Sequence, residues 1–145
     1  MQIEVKPIAP GQLDRLRIVL LSEGLPAEDI LRAPVRFFEA CTENGAAIGW
    51  GGLEIYGDQA VLRSVVINSV LRGTGAGKAL VETLISEARA LNLKKLWLLT
   101  TNAENFFAKL GFSHAIRSEA PKEIQNCEEF KWPNNETAHC MNMRL

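Results

Sequence analysis

The sequence lacks the features that mark secreted, membrane-bound and nucleic-acid-binding proteins. Its three cysteines, Cys41, Cys127 and Cys140, are odd in number and form no Cys-x-x-Cys pair, so neither a disulfide framework nor a zinc site is indicated. A formal net charge of −1 gives no basic surface for nucleic acid. No apolar run approaches the length of a membrane span, and the first residues lack the plan of a signal peptide. We therefore expect a reduced, cytoplasmic protein with no metal and no nucleic-acid or membrane partner.

Length and composition point to an ordinary globular domain. The chain has 145 residues, of which 47% are hydrophobic and 23% are charged. A chain of this length buries about two-thirds of its unfolded surface. It contains no internal repeat, low-complexity segment or linker. The sequence therefore predicts a single domain over residues 1–145.

The first half of the chain combines strand patterns with helical ones. Leu13, Leu16 and Leu20 recur at helical spacing, and Asn44-Gly45 is a strong signal for a turn between two strands. Pro26 is well placed at the start of a short helix. The predicted elements are a strand at 2–6, a helix at 10–22, a short helix at 27–31, two strands at 35–41 and 46–56 that form a hairpin, and a strand at 60–67.

The second half predicts a strand, helix and strand unit. A long helix after a glycine-rich turn has one apolar face, and the apolar run 95–99 is expected to pair in parallel with the strand before the turn. Thr101 and Glu104 have the spacing of a capping box for a further helix, and Gly111 is its expected C-cap. Strands are predicted at 112–116 and 138–145, and the polar stretch 118–137 has no assignment.

The glycine-rich turn is the most informative stretch of the chain. Gly73, Gly75 and Gly77 follow Arg72 and allow the backbone to lie close to a ligand, and the helix start that follows carries unsatisfied N–H groups. The turn is expected to bind a phosphate or pyrophosphate; a helix entry that only needs flexibility is the alternative. A P-loop is excluded because Arg72 and Ala79 occupy its glycine and Ser/Thr positions. A Gly-x-Gly-x-x-Gly dinucleotide fingerprint is not completed either.

The sequence of the turn fits the pattern Gln/Arg-x-x-Gly-x-Gly/Ala and resembles the acetyl-CoA loop of the GNAT family of N-acetyltransferases. A second family pattern, Asn-x-x-Ala-x-x-x-Tyr-x-Lys-Leu-Gly-Phe, lies in register further along, although Thr100 stands at its Asn position. The resemblance implies a mixed α/β fold with a central sheet of about six to seven strands and about four helices. The residues that carry it are Arg72, Gly75 and Gly77 in the loop and Ala103, Lys109, Leu110, Gly111 and Phe112 in the second pattern.

More narrowly, the chain resembles the small acetyltransferases found in arsenic-resistance operons. The residues that carry this narrower resemblance are Leu53-Glu54-Ile55-Tyr56-Gly57-Asp58, Leu62-Arg63-Ser64, Leu98-Leu99-Thr100-Thr101, Ala103-Glu104, Ala120-Pro121, Ile124, Glu129-Phe130, Pro133, Ala138 and Met141.

The resemblance also implies a cosubstrate, acetyl-CoA, whose pyrophosphate binds the loop amides, with N–H groups near Val65 and Val66 polarising the thioester carbonyl. Phe107 stands where many family members carry a tyrosine that protonates the departing thiolate, and phenylalanine cannot donate a proton. Core packing is the alternative role of Phe106 and Phe107. The expected acetyl-CoA-binding residues are Val65, Val66, Ile67, Arg72, Gly73, Thr74, Gly75, Ala76, Gly77, Lys78, Asn102, Phe106 and Phe107.

The implied chemistry is direct attack of an amine on the thioester, which needs a base or a water chain to take the ammonium proton. Glu54 is the first candidate because an apolar strand would desolvate it and raise its pKa; a solvated edge carboxylate is the alternative. Arg63, followed by Ser64 on the strand that enters the loop, is a candidate for binding a substrate carboxylate; an ion pair with Glu54 is the alternative. His114 and His139 are expected to be strand residues without a catalytic role.

Two classes of function stay open. The first is an N-acetyltransferase acting on a small-molecule amine or amino acid, and the second is an acyl-CoA-binding sensor or scaffold that has lost catalysis. The absent tyrosine favours the second, whereas the intact loop and the charged residues on the strands before it favour the first. The resemblance allows a homodimer.

Overall fold

Seven strands form one mixed sheet in the computed structural model, which describes residues 3–30, 34–67 and 75–145. Their order across the sheet is β1, β2, β3, β4, β5, β7, β6. Neighbouring strands are antiparallel except β4 and β5, which are parallel. The strands are β1 (Ile3–Pro7), β2 (Val35–Thr42), β3 (Ala47–Tyr56), β4 (Gln59–Ile67), β5 (Lys95–Thr100), β6 (Ser113–His114) and β7 (His139–Arg144).

Five α-helices accompany the sheet in the described part of the chain. They are α1 (Leu13–Ser22), α2 (Ala76–Ala90), α3 (Glu104–Lys109), α4 (Lys122–Gln125) and α5 (Glu128–Lys131). Of these helices, α2 is the longest, and its buried stripe includes Leu80, Val81 and Leu84 because apolar residues recur three and four positions apart. None of these helices has both the length and the apolar character that crossing a bilayer requires.

The two faces of the sheet bury different partners. The main core lies between the sheet and α2 and includes Phe38, Leu62 and Leu96. Adjacent strand residues point to the opposite face, where α1 packs near Phe37 and the segment after β6 packs on Trp97. The sheet is therefore covered on both sides, with α1 and the C-terminal segment sharing one face.

Most predicted elements of the fold are confirmed. The predicted number of strands, the hairpin around Asn44-Gly45 and the parallel pairing across α2 are all present. Gly111 has φ +108°, and the N–H of Phe112 bonds the carbonyl of Phe107 at 3.1 Å, so the predicted glycine end of α3 is also confirmed. The last strand is confirmed as β7, one residue shorter at each end than expected.

Three predictions differ from the structure. The short helix at 27–31 is wrong in its described part, because residues 28–30 form a turn; Leu31 lies outside the described residues. The strand at 112–116 is reduced to two residues. The capping box is wrong: Ala103 is the N-cap of α3 without a side-chain cap, and its N–H bonds Thr100 Oγ1 at 3.0 Å, because β5 ends at Thr100 and the chain needs residues 101–103 to turn.

The unassigned stretch 118–137 forms α4 and α5 with short 3-10 turns on either side. Ile124, Cys127 and Phe130 are buried against Val61 and Trp97. These residues recur at every third position, a spacing that the polar composition of the stretch conceals. The segment is therefore part of the folded core rather than a surface loop.

Candidate functional site

The parallel strands β4 and β5 separate before either of them ends. Their pairing runs from Gln59 opposite Lys95 to Val61 opposite Trp97, although β4 continues to Ile67 and β5 to Thr100. Two adjoining cavities, with several lining residues in common, lie where the strands diverge. A ligand can therefore enter between two strands of the sheet without breaking its hydrogen bonds.

A bulge in β4 marks the wall of these cavities. The pairing of β3 with β4 passes from Trp50 opposite Val66 to Gly52 opposite Arg63, so Ser64 and Val65 together face one residue of β3. Ser64 is buried and has φ +59°, a left-handed conformation that costs roughly 1–3 kcal/mol for a residue other than glycine. Local strain of this kind is found most often at ligand sites.

The outer cavity runs along the start of α2 and has a volume of about 670 Å³. Gly75, which has φ +90°, is the N-cap of this 15-residue helix, and its carbonyl accepts the N–H of Ala79 at 3.0 Å. The site residues predicted from the sequence that line this cavity are Val65, Val66, Ile67, Gly75, Gly77, Lys78, Asn102 and Phe106. Arg72, Gly73 and Thr74 lie outside the described residues, and Ala76 is buried in the core instead.

The inner cavity is smaller, about 220 Å³, and lies deeper between the diverging strands. Its wall includes the predicted residues Arg63, Ser64 and Phe107, together with Glu129 and Asn135 from the C-terminal segment. Arg63 and Glu129 are the ionisable residues among the described side chains that line it. Arg63 and Glu129 therefore supply the charged groups in the described part of this wall.

The Arg63 side chain is fully buried, and each of its nitrogens donates a hydrogen bond. Its Nη1 lies 2.6 Å from Asp29 Oδ2 and 2.8 Å from Glu54 Oε1, and its Nη2 donates to Asp29 Oδ1 and Pro26 O at 3.0 Å each. Its Nε donates to Ser64 Oγ at 3.0 Å. These bonds use all five N–H donors of the guanidinium. This geometry argues against the predicted binding of a substrate carboxylate by Arg63, and the alternative, an ion pair with Glu54, is present.

Glu54 is buried beside Arg63 but does not reach the ligand space. It is 1% exposed, so the solvated edge position is wrong. Its Oε1 accepts from Arg63 and its Oε2 accepts from the hydroxyl of Tyr56, and it is absent from the described linings of both cavities. Burial, and then the bond to Glu54, raise the pKa of Tyr56. This geometry argues against Glu54 as the base, since neither oxygen faces a substrate.

Glu129, which the prediction of catalytic residues missed, faces the inner cavity. It is 4% exposed, and its Oε2 is the buried side-chain oxygen that has no hydrogen-bond partner among the described residues. Arg63 Nε lies 4.0 Å from this oxygen, too far for a hydrogen bond. Burial raises the pKa of Glu129 to about 7, although the charge of Arg63 opposes the rise. The spacing of Ile124, Cys127 and Phe130 is the signal that could have placed this segment in the core.

The aromatic pair of α3 separates into two roles. Phe106 lines both cavities, and Phe107 is 7% exposed, belongs to the main core and lines the inner cavity. The two rings meet edge to face, with centroids 5.0 Å apart, and Phe107 meets Phe112 in the same way at 5.7 Å. The expected packing of Phe107 in the core is confirmed.

The two histidines lie away from the described linings of both cavities. His114 and His139 are exposed strand residues, as expected, and their Nε2 atoms lie 2.9 and 3.5 Å from the carboxylate of Glu104. In residues 3–30, 34–67 and 75–145, these three side chains form the cluster whose ligand atoms are close enough to hold a divalent cation. All of their contacts are at the surface.

The fold and the divided sheet place the chain in a known class of protein. The sequence profile of the acetyltransferase (GNAT) family matches residues 12–112. The chain belongs to this family, and its mixed sheet of seven strands with five helices is the fold of that family, as the sequence predicts.

Individual relatives agree with this assignment. An amino-acid acetyltransferase of Ralstonia nicotianae is 30% identical over 116 residues, 73% of this chain and 26% of the relative. One of Mycobacterium tuberculosis is 36% identical over 81 residues, 55% of this chain and 46% of the relative. The chain thus spans between a quarter and a half of these curated relatives. N-acetylglutamate synthase of Neisseria gonorrhoeae, solved with coenzyme A and N-acetyl-glutamate, has the same fold (TM-score 0.80, 20% identity, 100% of this chain and 35% of that chain).

Proposed function

We propose that this protein transfers an acetyl group from acetyl-CoA to the amine of a small molecule. The observation that carries the proposal is the divergence of β4 and β5, which leaves two adjoining cavities, one at the start of α2 and one lined by a buried carboxylate. The outer cavity offers a helix N-terminus for an anion, and the inner cavity offers an acceptor for a cation. The pyrophosphate of acetyl-CoA is such an anion, and the ammonium group of an amine substrate is such a cation.

Acetyl-CoA is assigned to the outer cavity. The N-terminus of α2 suits the pyrophosphate because its first N–H groups and the helix dipole favour negative charge. An added Cβ at Gly77 would lie in van der Waals contact with Ile67 and Phe106, 3.5 Å from each, so this position lies directly beside two residues that line the cavity. Backbone N–H groups near Val65 and Val66, beside the bulge, are proposed to polarise the thioester carbonyl. Arg72, Gly73 and Thr74 keep their proposed contacts to the pyrophosphate.

The first prediction concerns acetyl-CoA binding. The change Gly75→Asp should abolish binding, because it places a negative charge and a side chain at the proposed pyrophosphate site. Calorimetry with acetyl-CoA measures this. Gly45→Asp is the matched control: Gly45 also has a left-handed φ, +84°, and no atom within 4 Å of an added Cβ, but it lies in the β2–β3 turn. Equal affinity in wild type and Gly75→Asp would refute the site.

Acetyl transfer itself is tested by a screen of primary amines, with release of free CoA thiol as the readout. Turnover with at least one amine is the expected result. The alternative function, an acyl-CoA-binding sensor or scaffold, is supported if acetyl-CoA binds at the Gly75 site but no amine releases thiol above the rate of hydrolysis.

A second prediction concerns the general acid that would protonate the CoA thiolate, since Phe107 occupies the position of the usual tyrosine. Phe107→Tyr is expected to keep or raise turnover in the amine screen, since it adds a proton donor on the wall of the inner cavity. Phe112→Tyr is the control: this ring is 3% exposed and is absent from the described linings of both cavities, so its new hydroxyl should cost about 1–3 kcal/mol of stability. A similar loss of stability in Phe107→Tyr would show that its ring edge cannot reach the cavity.

We also propose the narrower assignments that the sequence predicts. Membership of the arsenic-resistance subgroup rests on the runs around Glu54, Arg63, Thr100 and Glu129, and a change in arsenic tolerance on expression of the gene would test it. A cytoplasmic location is supported by the three cysteines, which are all buried and free.

A further inference from the structure

Glu129 is placed where an acceptor amine would have to arrive. It lies in the inner cavity, and the amine must enter that cavity if acetyl-CoA fills the outer one. Its buried Oε2 has no hydrogen-bond partner in the part of the chain that the structure describes. A buried carboxylate oxygen without a partner costs free energy, and proteins retain such groups mainly where a ligand completes them.

The position of Glu129 is held by groups that do not occupy this oxygen. Asn135 Nδ2 donates to the backbone carbonyl of Glu129 at 3.0 Å, and Asn135 is itself buried. Phe130, the next residue, packs in the core with Ile124. The backbone of Glu129 is therefore held in the wall of the inner cavity, and its Oε2 forms no hydrogen bond with the described residues.

The surrounding charges favour a cationic ligand. Arg63 is surrounded by Asp29, Glu54 and Glu129, so one positive charge faces three carboxylates. All N–H donors of Arg63 are already used. The described cavity wall thus offers an acceptor to an ammonium group and no free cation to a carboxylate.

The geometry points to Glu129 as the residue that binds the ammonium group of the acceptor and removes its proton. This inference rests on the proposed acetyl transfer. The carboxylate takes one proton from R–NH₃⁺, and the free amine attacks the thioester carbonyl. The C–N bond forms, the C–S bond breaks, and the second nitrogen proton goes to the CoA thiolate. Glu129 then releases its proton to water, so the products are the amide, CoA–SH and H⁺.

The pKa of the carboxyl is suited to this step. Because burial raises the pKa of Glu129 to about 7, the group is partly ionised near neutral pH and is a stronger base than an exposed glutamate. Binding of an ammonium group would lower this pKa again, since an opposite charge favours the carboxylate.

The same charge balance defines the class of acceptor. An α-amino acid carries a carboxylate on the carbon that bears its amine, and this carboxylate would meet Glu129 in the cavity wall, with Asp29 and Glu54 behind it on an Arg63 that has no free donor. We infer that the acceptor is a primary amine without a carboxylate on that carbon. This differs from what the names of the two curated relatives state for those proteins.

Kinetics of Glu129→Gln test the proton transfer. With an amine found in the thiol-release screen, the variant should lose roughly 10²-fold in kcat/KM, keep its acetyl-CoA affinity, and lose the ionisation near neutral pH from its rate profile. Glu129→Asp should recover part of the rate. The control is Glu128→Gln, because Glu128 is the neighbouring residue and is exposed. Turnover in wild type with an unchanged rate and profile in Glu129→Gln would overturn the assignment and leave the transferase function standing.

Matched substrates test the acceptor class. Tyramine, histamine and agmatine should each be acetylated at least tenfold faster, in kcat/KM, than tyrosine, histidine and arginine. A preference for the amino acids would overturn the inferred class.

A titration without turnover separates this inference from the proposed function. In wild-type protein saturated with CoA and carrying ¹³C-labelled glutamate carboxyls, histamine or tyramine should lower the pKa of Glu129. If this pKa shifts but no acetylation is found with any amine, the ammonium site stands and the transferase function fails. If it does not shift, the site is wrong.

Discussion

Replacing Arg63 by methionine is expected to cost about 3–5 kcal/mol of folding free energy at pH 8, a large part of the 5–15 kcal/mol that holds a domain of this size together. The variant removes the cation of the buried cluster and leaves the carboxylates of Asp29, Glu54 and Glu129 without their partner. Methionine fills a similar volume, so the loss reports charge rather than a cavity.

The pH dependence of this loss identifies its cause. Without Arg63, the charge that lowers the pKa of Glu129 is lost, so burial and the carboxylates of Glu54 and Asp29 raise this pKa further above its value in the unfolded chain. Folding then binds protons, so the variant is relatively stable at low pH and loses stability as pH rises. Urea unfolding at pH 5 and pH 8 should show the larger deficit at pH 8. Arg36→Met, at an exposed residue of β2, should change stability by less than about 0.5 kcal/mol at both values. A deficit equal at both pH values would contradict the charge account.

Glu129→Gln is expected to stabilise the protein at alkaline pH. In the wild type, the pKa of Glu129 is about 7 in the folded state and 4.5 in a free chain, so the folded protein holds the proton more tightly. This contribution is fully present below pH 4.5 and is lost as pH rises to 7, above which the wild type carries a buried charge. The difference of about 2.5 between the two pKa values corresponds to at most about 3 kcal/mol.

Stability curves from pH 5 to pH 8.5 measure this effect. The two proteins should unfold at similar urea concentrations at pH 5, and the variant should need more urea at pH 8.5. A variant that gains stability while its turnover falls shows the exchange of stability for activity that is common at functional sites. Loss of stability at every pH would instead show that Glu129 serves the fold, which the exposed Glu128→Gln control should not do.

The sequence predicted those parts of the molecule that depend on short-range pattern. The apolar face of α2, the Asn44-Gly45 hairpin and the parallel pairing of β4 with β5 follow from periodicity and turn chemistry within a few residues. The glycines at the start of α2 predict an anion site on the same local basis, since their effect on the backbone is local, and this site stays a prediction. Each of these features is encoded where it occurs.

The charge cluster could not be predicted in this way. Arg63 bonds Asp29, which is 34 residues away, and lies 4.0 Å from Glu129, whose segment has an every-third apolar spacing that its polar composition conceals. Burial of Glu54 is one of two alternatives that the sequence leaves open, and periodicity does not show that Arg63 and Tyr56 occupy both of its oxygens. The role of a buried carboxylate depends on the donors that reach it, and those are set by the whole fold.

The position of Glu129 and Asn135 has a consequence for how proteins of this kind diverge. The family profile ends at residue 112, whereas the wall of the inner cavity continues into the segment that follows. The region matched by the profile and the segment after β6 can therefore diverge separately in evolution. On the proposed assignments, substitutions after β6 would change which amine is accepted without altering the proposed anion site at the start of α2. Relatives that share the region matched by the family profile can then differ in acceptor even when their names suggest a common one.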